Sequence, residues 1–313
     1  MSFFPEIIYI AGHTGLVEQA FLRKLQSFGN STLLLRTHGG LDLTNQGEVS
    51  NFFSAEKPDF VILAAAKVGG IHANSTYPAE FIYENLMIQS NVIHQSYLHG
   101  VKKLVYLGST CACPKNALQP MKEEYLLTGH LEPTNEPYAV SKIAGLKMCE
   151  SYNRQYGTSY HTIMPTNLYG IHDNFHPENS HVIPGMMRRI HEAKMADLLE
   201  VEIWGSGLTK REFLFVDDLV EACLFLLDYD EDYSPVIISS QEEVSIRELA
   251  EMMSEVRGYK GRLAFDTSKP DGMPLKKVDT SKMDALGWSA RTHLRDGLKT
   301  VYHWFLSNNT NQN

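Results

Sequence analysis

Short apolar runs that alternate with longer helical patterns constrain the fold of this chain more than any other feature. The runs at Phe60–Ala64, Leu104–Gly108 and His161–Met164 are almost wholly apolar, as expected of parallel strands that are covered by helices on both faces. Amphipathic helical patterns lie between them, at Asn45–Lys57, Glu80–His99 and Tyr138–Tyr156. This alternation predicts an α/β fold with a doubly wound parallel sheet of the Rossmann type, whose ligand site lies at the carboxyl ends of the strands.

The length of the chain predicts two lobes. Single cores rarely grow beyond about 250 to 300 residues, and this chain has 313. After Pro165 the alternation loosens, and a polar loop is predicted at Thr267–Lys277. We therefore expect a nucleotide-binding domain at 1–165, with a returning segment at about 212–240, and a smaller C-terminal α/β lobe at 166–313 that mainly binds substrate.

Composition excludes several classes of protein. A hydrophobic fraction of 43% with 21% charged residues is typical of a globular protein with a sizeable core. The net charge of −9 argues against a nucleic-acid partner, which requires a basic surface. Without a signal-like or membrane-spanning segment, a cytoplasmic location and no membrane partner are expected. The four cysteines are expected to be reduced thiols, and no metal site is expected.

A glycine turn follows the first predicted strand, Ile7–Ala11, and opens the first helix. Backbone N–H groups at the start of a helix can receive a pyrophosphate. The candidate dinucleotide-binding residues of this turn are Gly12, His13, Thr14, Gly15, Leu16 and Val17. Glu18 stands where such turns usually carry a third small residue, so it adds bulk and an anion beside the phosphate site.

The end of the second strand indicates which dinucleotide is bound. Enzymes that use NAD place an acidic residue there to bind the ribose, whereas basic groups near the 2′-phosphate favour NADP. This chain has Arg36-Thr37-His38, and a guanidinium can form paired hydrogen bonds with a phosphate. Arg36 therefore predicts NADP(H) as the cofactor.

Three polar side chains are predicted to meet at the carboxyl edge of the sheet. Tyr138 and Lys142 are four residues apart on one helix, hence on one face, and Ser109 directly follows the strand Leu104–Gly108. A carbonyl that accepts a hydride must be protonated on oxygen, and a phenol needs a nearby cation to lower its pKa. Tyr138 is the candidate acid, Lys142 the cation and ribose ligand, and Ser109 a hydrogen-bond donor to the developing alkoxide.

These motifs and their order resemble the extended short-chain dehydrogenase/reductase family. Within it, longer segments are similar to the GDP-L-fucose synthases. These segments are Ala64–Ile71, Glu132–Tyr138, Pro165–Gly170, His172–Phe175, Ser180–Pro184, Trp204–Gly207 and Ser268–Gly272. The resemblance implies epimerisation of GDP-4-keto-6-deoxy-D-mannose at carbons 3 and 5, followed by NADPH-dependent reduction at carbon 4.

The resemblance also implies roles for individual residues. Cys111 and His181 would be the acid/base pair of the epimerisation; taken alone, each would be interpreted as an ordinary structural residue. The further cofactor-binding residues are Leu107, Pro165, Asn167, Leu168 and His181. The substrate-binding residues are Asn167, Arg189, Trp204, Arg211, Lys269 and Asp271. Relatives pair the helices near 80–99 and 138–156, which implies a homodimer.

The chain departs from the pattern of bacterial members of this group at four positions: Thr14, Glu18, His38 and Cys113. Thr14 and His38 replace arginines that grip the 2′-phosphate, and Cys113 replaces an aromatic residue near the sugar. Two other functions stay open. One is a sugar-nucleotide 4-reductase or 4-epimerase that acts on another GDP-sugar, and the other is a non-catalytic NADP-binding protein.

Overall fold

A computed structural model describes residues 6–12, 15–29, 31–177, 180–229, 235–269, 271 and 273–309. The described residues form these strands: β1 Ile7–Ala11, β2 Thr32–Leu35, β3 Phe60–Leu63, β4 Lys103–Leu107, β5 Ser159–Pro165, β6 Asn167–Tyr169, β7 Glu200–Trp204, β8 Lys210–Phe215, β9 Val236–Ile238, β10 Glu243–Ser245, β11 Arg262–Asp266 and β12 Leu275–Lys276. They form these helices: α1 Leu16–Phe28, α2 Gln46–Glu56, α3 Ile71–Thr76, α4 Pro78–Leu98, α5 Glu136–Tyr156, α6 Val182–Met195, α7 Val216–Leu226, α8 Ile246–Arg257, α9 Ser281–Leu286 and α10 Leu294–Asn309.

The first sheet has six parallel strands in the order β2-β1-β3-β4-β5-β9. Each strand is short and largely apolar because both faces of the sheet are covered. The strand order reverses direction at β1, and in such sheets the crevice beside the reversal binds ligands at the carboxyl ends of the strands. The predicted α/β fold with a doubly wound parallel sheet is confirmed.

The two faces of this sheet build two separate cores. Side chains alternate along a strand, so Tyr9 and Ala11 of β1 join one apolar cluster, whereas Ile8 and Ile10 join the other. The first cluster packs under α2, α4 and α5, and the second under α1 and α7. Helix α5 carries Tyr138 and ends at Gly157, which adopts a φ of +67° that favours glycine.

Most of the remaining elements form a second lobe with its own core, whereas α9 packs against β9 and joins the core of the first sheet. Strand β8 is central: it pairs with β6, β10 and β12, while β7 pairs with β11. Helices α6, α8 and α10 pack on these strands around a third apolar cluster. Helix α7 and strand β9 return from this region to the first sheet, where α7 packs against α1 and β9 pairs with β5. The residues at the end of the first sheet therefore face those on β8 and β12.

One predicted segment differs from the structure. The polar loop predicted at Thr267–Lys277 contains β12, which pairs in parallel with the first two residues of β8. Two residues are too few to show a strand pattern, and this strand exists because β8 offers it a free edge. No helix of the described part of the chain is long and apolar enough to cross a membrane.

Candidate active site

The glycine turn brings the start of α1 against the segment that follows β3. Gly12 has a φ of +94°, and a Cβ atom there would lie 2.9 Å from Ala65 Cα, so only glycine permits this approach. Gly15 precedes α1 without any side-chain cap from its own residue. The N–H of Glu18 bonds to the carboxyl of the same residue, so an anion would use the other N–H groups of the first turn. His13 and Thr14 lie outside the described residues. This turn fits the pyrophosphate of a dinucleotide.

The Glu18 side chain occupies the space inside the glycine turn. If Gly12 and Gly15 carried Cβ atoms, these atoms would lie 2.6 Å and 2.4 Å from the carboxylate oxygens of Glu18, too close for a side chain at either position unless Glu18 shifts. Glu18 itself is 8% exposed. Burial raises the pKa of Glu18 to about 7, against the lowering effects of its own backbone hydrogen bond and of the Lys142 ammonium. The site of a bound pyrophosphate thus contains a carboxyl group that titrates near neutrality.

Dinucleotide binding should weaken as pH rises through about 7, because ionised Glu18 repels an incoming pyrophosphate. Below this pKa the carboxyl is neutral and the repulsion is absent. We expect the affinity for NADPH to fall by up to about tenfold per pH unit above pH 7, as measured by fluorescence titration.

Glu18→Gln is the matched control, because it keeps the shape of the side chain and removes its charge. Its NADPH affinity should exceed that of the parent at high pH and should lack the fall. The 2′-phosphate of NADPH also titrates, with a second pKa of about 6. Its effect on binding is the same in both proteins, so the difference between the two pH profiles reports Glu18 alone. Identical pH profiles for the two proteins would contradict the role of Glu18.

Arg36 lies directly after β2, where the sequence places a ligand of the 2′-phosphate. Its Nη2 donates to Glu56 Oε1 at 2.5 Å, and the guanidinium carbon lies 5.3 Å from the centroid of the Phe52 ring. These contacts hold the partly buried guanidinium at the sheet edge. A guanidinium has five donors, so the contact with Glu56 leaves capacity for a phosphate.

The predicted trio of Ser109, Tyr138 and Lys142 meets at the carboxyl edge of the sheet. Lys142 lies 5.7 Å from the Tyr138 ring centroid, measured from Nζ, and it donates to the Leu107 carbonyl at 2.7 Å. Burial lowers the pKa of Lys142 to about 8, although Glu18 raises it. Ser109 forms a hydrogen bond with Tyr138.

Burial raises the pKa of the Tyr138 phenol above its ordinary value, the negative charge of a Cys111 thiolate raises it further, and the Ser109 hydrogen bond lowers it by less. The lowering of this pKa by Lys142 that the sequence predicts is not found: Lys142 is itself buried and directs its ammonium to the Leu107 carbonyl. Tyr138 is therefore protonated at neutral pH. It is in the form that can donate a proton to a carbonyl oxygen.

Cys111 lies in the same cleft, in the turn that follows Ser109. Its backbone N–H donates to Ser109 Oγ at 3.2 Å, and its Sγ lies 3.5 Å from Lys276 Nζ. Burial raises the pKa of the thiol, but the Lys276 ammonium and hydrogen bonds from Ser109, Lys276 and Asn135 together lower it by more. The result is a thiol whose pKa lies below its ordinary value, as a carbon base requires.

His181 stands at the residue before α6. A Cβ at Gly70, in the segment after β3, would lie 3.8 Å from the carbonyl oxygen of Ser180, which places His181 at the same edge of the sheet. Burial by the surrounding protein lowers the pKa of His181, while the side chain keeps access to solvent. In the described structure no hydrogen bond joins His181 to Cys111 or Tyr138, whereas Cys111 and Tyr138 interact electrostatically.

The residues predicted to bind a GDP-sugar form a cationic cluster on the second lobe. The Arg189 guanidinium carbon lies 4.5 Å and Lys269 Nζ 5.5 Å from the Trp204 ring centroid. Trp204 is 45% exposed. Asp271 accepts a hydrogen bond from the backbone N–H of Ser206, in the turn after Trp204. The charge of Asp271 raises the pKa of Arg211, but burial lowers this pKa more strongly.

The remaining predicted cofactor ligands are Leu107 at the end of β4, Pro165 at the end of β5, Asn167 and Leu168 on β6, and Leu16 and Val17 at the start of α1. Pro165 accepts a hydrogen bond from Thr110 at 3.3 Å through its carbonyl, and Asn167 donates to the backbone of β8 at 3.2 Å. The leucine and valine side chains of this set belong to the core beneath α1 and α7: Leu107 is buried in it, and Leu16, Val17 and Leu168 pack partly buried against it.

Sequence reasoning missed two polar residues of this cleft. Lys276 and Asn135 both contact Cys111, yet Lys276 fell in the predicted polar loop. Asn135 Oδ1 and Arg189 Nε are buried without a hydrogen-bond partner among the described residues, and such atoms are usually satisfied by a ligand or water. Asn135 directly precedes α5, the helix that carries Tyr138, and this position in the sequence is the feature that could have identified Asn135 as a site residue.

The four cysteines, all of them described, form no disulfide. In the described ranges, no group of three or more His, Cys, Asp and Glu side chains could hold a metal ion.

The model of the NAD dependent epimerase/dehydratase family matches residues 8–238. GDP-L-fucose synthase 1 of Arabidopsis thaliana is 58% identical over 305 residues, which cover 97% of this chain and 94% of that protein. GDP-L-fucose synthase of Escherichia coli is 51% identical over 310 residues, covering 96% of this chain and 97% of that protein.

A solved structure extends this likeness to three dimensions. MlghC, a GDP-mannoheptose C4 reductase from Campylobacter jejuni with NADP bound, superposes with a TM-score of 0.88 at 40% sequence identity. The match covers 96% of this chain and 98% of that one. The similarity therefore includes both lobes, with the glycine turn on one and the cationic cluster on the other.

Proposed function

The chain belongs to the NAD dependent epimerase/dehydratase family, and from that premise we propose that it is a GDP-L-fucose synthase. It would epimerise GDP-4-keto-6-deoxy-D-mannose at carbons 3 and 5 and then reduce carbon 4 with NADPH. One observation carries the proposal: the Cys111 thiol, with its Lys276 partner at 3.5 Å, shares a cleft with Ser109 and Tyr138. A 4-reductase alone has no use for such a carbon base.

The first lobe supplies the dinucleotide site in this proposal. Residues 1–165, with the returning segment at about 212–240, would hold NADP(H) through the glycine turn, Arg36 and Lys142, and residues 166–313 would bind mainly the GDP-sugar. When bound, NADPH supplies the hydride that adds to carbon 4. The open N–H groups at the start of α1 and the guanidinium at the end of β2 support this assignment.

Epimerisation would use Cys111 and His181. The hydrogens on carbons 3 and 5 are acidic because each carbon adjoins the carbon 4 carbonyl. The Cys111 thiolate takes one such proton, the electrons of the broken C–H bond form an enolate, and protonated His181 returns a proton to the opposite face. Cys111 then loses its proton and His181 regains one from solvent, so the site is ready for the second carbon.

Reduction would use the trio on β4 and α5. Tyr138 donates its phenolic proton to the carbon 4 oxygen, and Ser109 donates a hydrogen bond to the same oxygen as negative charge develops. The Ser109 hydrogen bond, which lowers the pKa of Tyr138, favours the resulting phenolate, and Lys142, with its Nζ 5.7 Å from the Tyr138 ring centroid, would bind the cofactor ribose. The cationic residues Arg189, Arg211 and Lys269 would neutralise the substrate diphosphate.

The test is to incubate the purified protein with GDP-4-keto-6-deoxy-D-mannose and NADPH or NADH, and to identify the product by NMR. We expect oxidation of NADPH and a sugar with the L-fucose configuration. Reduced sugar that keeps its configuration at carbons 3 and 5 would instead support a 4-reductase. No oxidation by protein that still binds NADPH would support a non-catalytic role.

A homodimer through α4 and α5 completes the proposal. The two helices pack side by side, with the Tyr97 and Tyr156 rings stacked at 4.1 Å. Their outer surface exposes Tyr83 by 61% and Leu98 by 55%, and exposed apolar surface of this kind is typical of subunit interfaces. A monomeric mass by light scattering at working concentrations would overturn this assignment.

A further inference from the structure

Lys276 has an unusual partner. Its Nζ lies 3.5 Å from Cys111 Sγ, and within the described ranges it forms no ion pair with a carboxylate. An ammonium that is half-buried and lacks an acidic partner favours any anion that can form beside it. The anion that the protein itself can form at this point is the Cys111 thiolate.

The strand register adds a second cation. Lys276 and Arg211 are direct partners in the parallel pair of β12 and β8, so their side chains leave the same face. Like charges on directly opposed residues destabilise a sheet unless an anion lies between them. Arg211 also interacts with Cys111, which raises the pKa of this guanidinium against the lowering effect of burial. Arg211 is thus a second cation in the neighbourhood of Cys111, on the strand beside that of Lys276.

The other groups around Cys111 do not supply this charge. Ser109 and Asn135 are neutral donors to the sulfur. Tyr138 and Cys113 are both buried groups whose pKa is raised by burial, Cys113 to about 11, so both are neutral at physiological pH. The charged groups that face Cys111 are therefore Lys276 and Arg211, and Lys276 is the one in hydrogen-bonding contact.

We propose that Lys276 is a positioning residue that holds Cys111 in its thiolate form and fixes the sulfur in the cleft for proton abstraction. The role of Cys111 as a base rests on the proposed function. In the abstraction step the sulfur gains the proton from carbon and becomes a thiol, and the C–H electron pair passes to the enolate. Lys276 keeps its proton throughout, and the thiolate is restored when Cys111 releases its proton to solvent.

The experiment measures the titration of Cys111 directly. The full-length protein is treated with iodoacetamide across a range of pH, and alkylation of Cys111 is followed by peptide mass spectrometry. Only the thiolate reacts, so the rate rises through the pKa of Cys111. In Lys276→Met the rise should move to higher pH, with about a tenfold loss of rate at neutral pH for each unit of movement. Lys276→Arg should restore the profile.

Lys277→Met is the matched control, because Lys277 is the exposed neighbour and has no contact with Cys111 among the described residues. Its profile should equal that of the parent. Lys276→Gln provides a second neutral variant if Lys276→Met does not fold, as judged by circular dichroism. An unchanged alkylation profile of Cys111 in a folded neutral variant would overturn the proposal. If the same variant also had a raised KM for the GDP-sugar, Lys276 would be reassigned to binding of the substrate diphosphate.

Alkylation needs no sugar substrate, so this result is independent of the proposed function. The corresponding readout with substrate is solvent deuterium incorporation beside the keto group, whose acidic limb should move to higher pH in Lys276→Met. A moved alkylation profile without any deuterium incorporation in the parent would uphold the Lys276–Cys111 pair and reject the epimerase activity. If the alkylation profile does not move in Lys276→Met but the parent incorporates deuterium normally, the epimerase activity would be upheld and the role of Lys276 rejected.

Discussion

Tyr138→Phe should abolish reduction of the keto sugar while leaving NADPH binding largely intact. The phenol is protonated at neutral pH because burial raises its pKa, and it is hydrogen-bonded to Ser109, so its removal eliminates the proton donor and little else. Loss of a positioned acid typically costs about 10² to 10⁴ in rate. The measurement is steady-state NADPH oxidation, with cofactor affinity determined separately by fluorescence titration.

Tyr160→Phe is the control for this change. Tyr160 is also buried, on β5, and its hydroxyl has no hydrogen-bond partner among the described residues. The same loss of one oxygen should therefore leave turnover unchanged. Full activity in Tyr138→Phe would remove the phenol from the mechanism, whereas loss of activity in both variants would indicate a general effect on the fold.

The first sheet could be predicted closely because its strands are defined by their own residues. Strand β1 was predicted at Ile7–Ala11 and is observed there. Strand β3 differs from its predicted bounds by one residue at its end, and β4 is shifted by one residue at both ends. A strand covered on both faces must be apolar throughout, which makes it visible in the sequence alone. The predicted resemblance to GDP-L-fucose synthases is likewise confirmed by relatives at 51% and 58% identity.

Elements of the second lobe were harder to predict because they depend on partners. The two-residue strand β12 exists through its pairing with β8, and β6 and β10 have three residues each. None of these has a hydrophobic period of its own. Lys276 was missed for this reason: its role depends on a strand that tertiary contacts create.

The candidate site shows the same division. Tyr138 and Lys142 could be paired from their spacing, because a helix fixes which side chains share a face. The Cys111–Lys276 contact joins residues 165 apart in the chain, and no local pattern links them. Glu18 was recognised as a departure from the glycine pattern, but its place inside the turn, beside Gly12 and Gly15, required the structure.

Cys111→Ser should nearly abolish solvent deuterium incorporation beside the keto group. A serine hydroxyl ionises far less readily than a thiol, so the cations near position 111 would have no thiolate to stabilise. We expect a loss of about 10² to 10⁴ in the exchange rate, measured by NMR in D₂O without NADPH. Any sugar still reduced after NADPH is added should keep its original configuration at carbons 3 and 5.

Cys113→Ala tests whether the effect belongs to position 111. Cys113 is two residues away and 5% exposed, and burial raises its pKa to about 11, so at neutral pH it is a thiol that cannot act as a base. Exchange should therefore persist in Cys113→Ala. Unchanged exchange in Cys111→Ser would instead assign Cys111 a structural role, and it would leave His181 as the remaining acid/base candidate for the epimerisation.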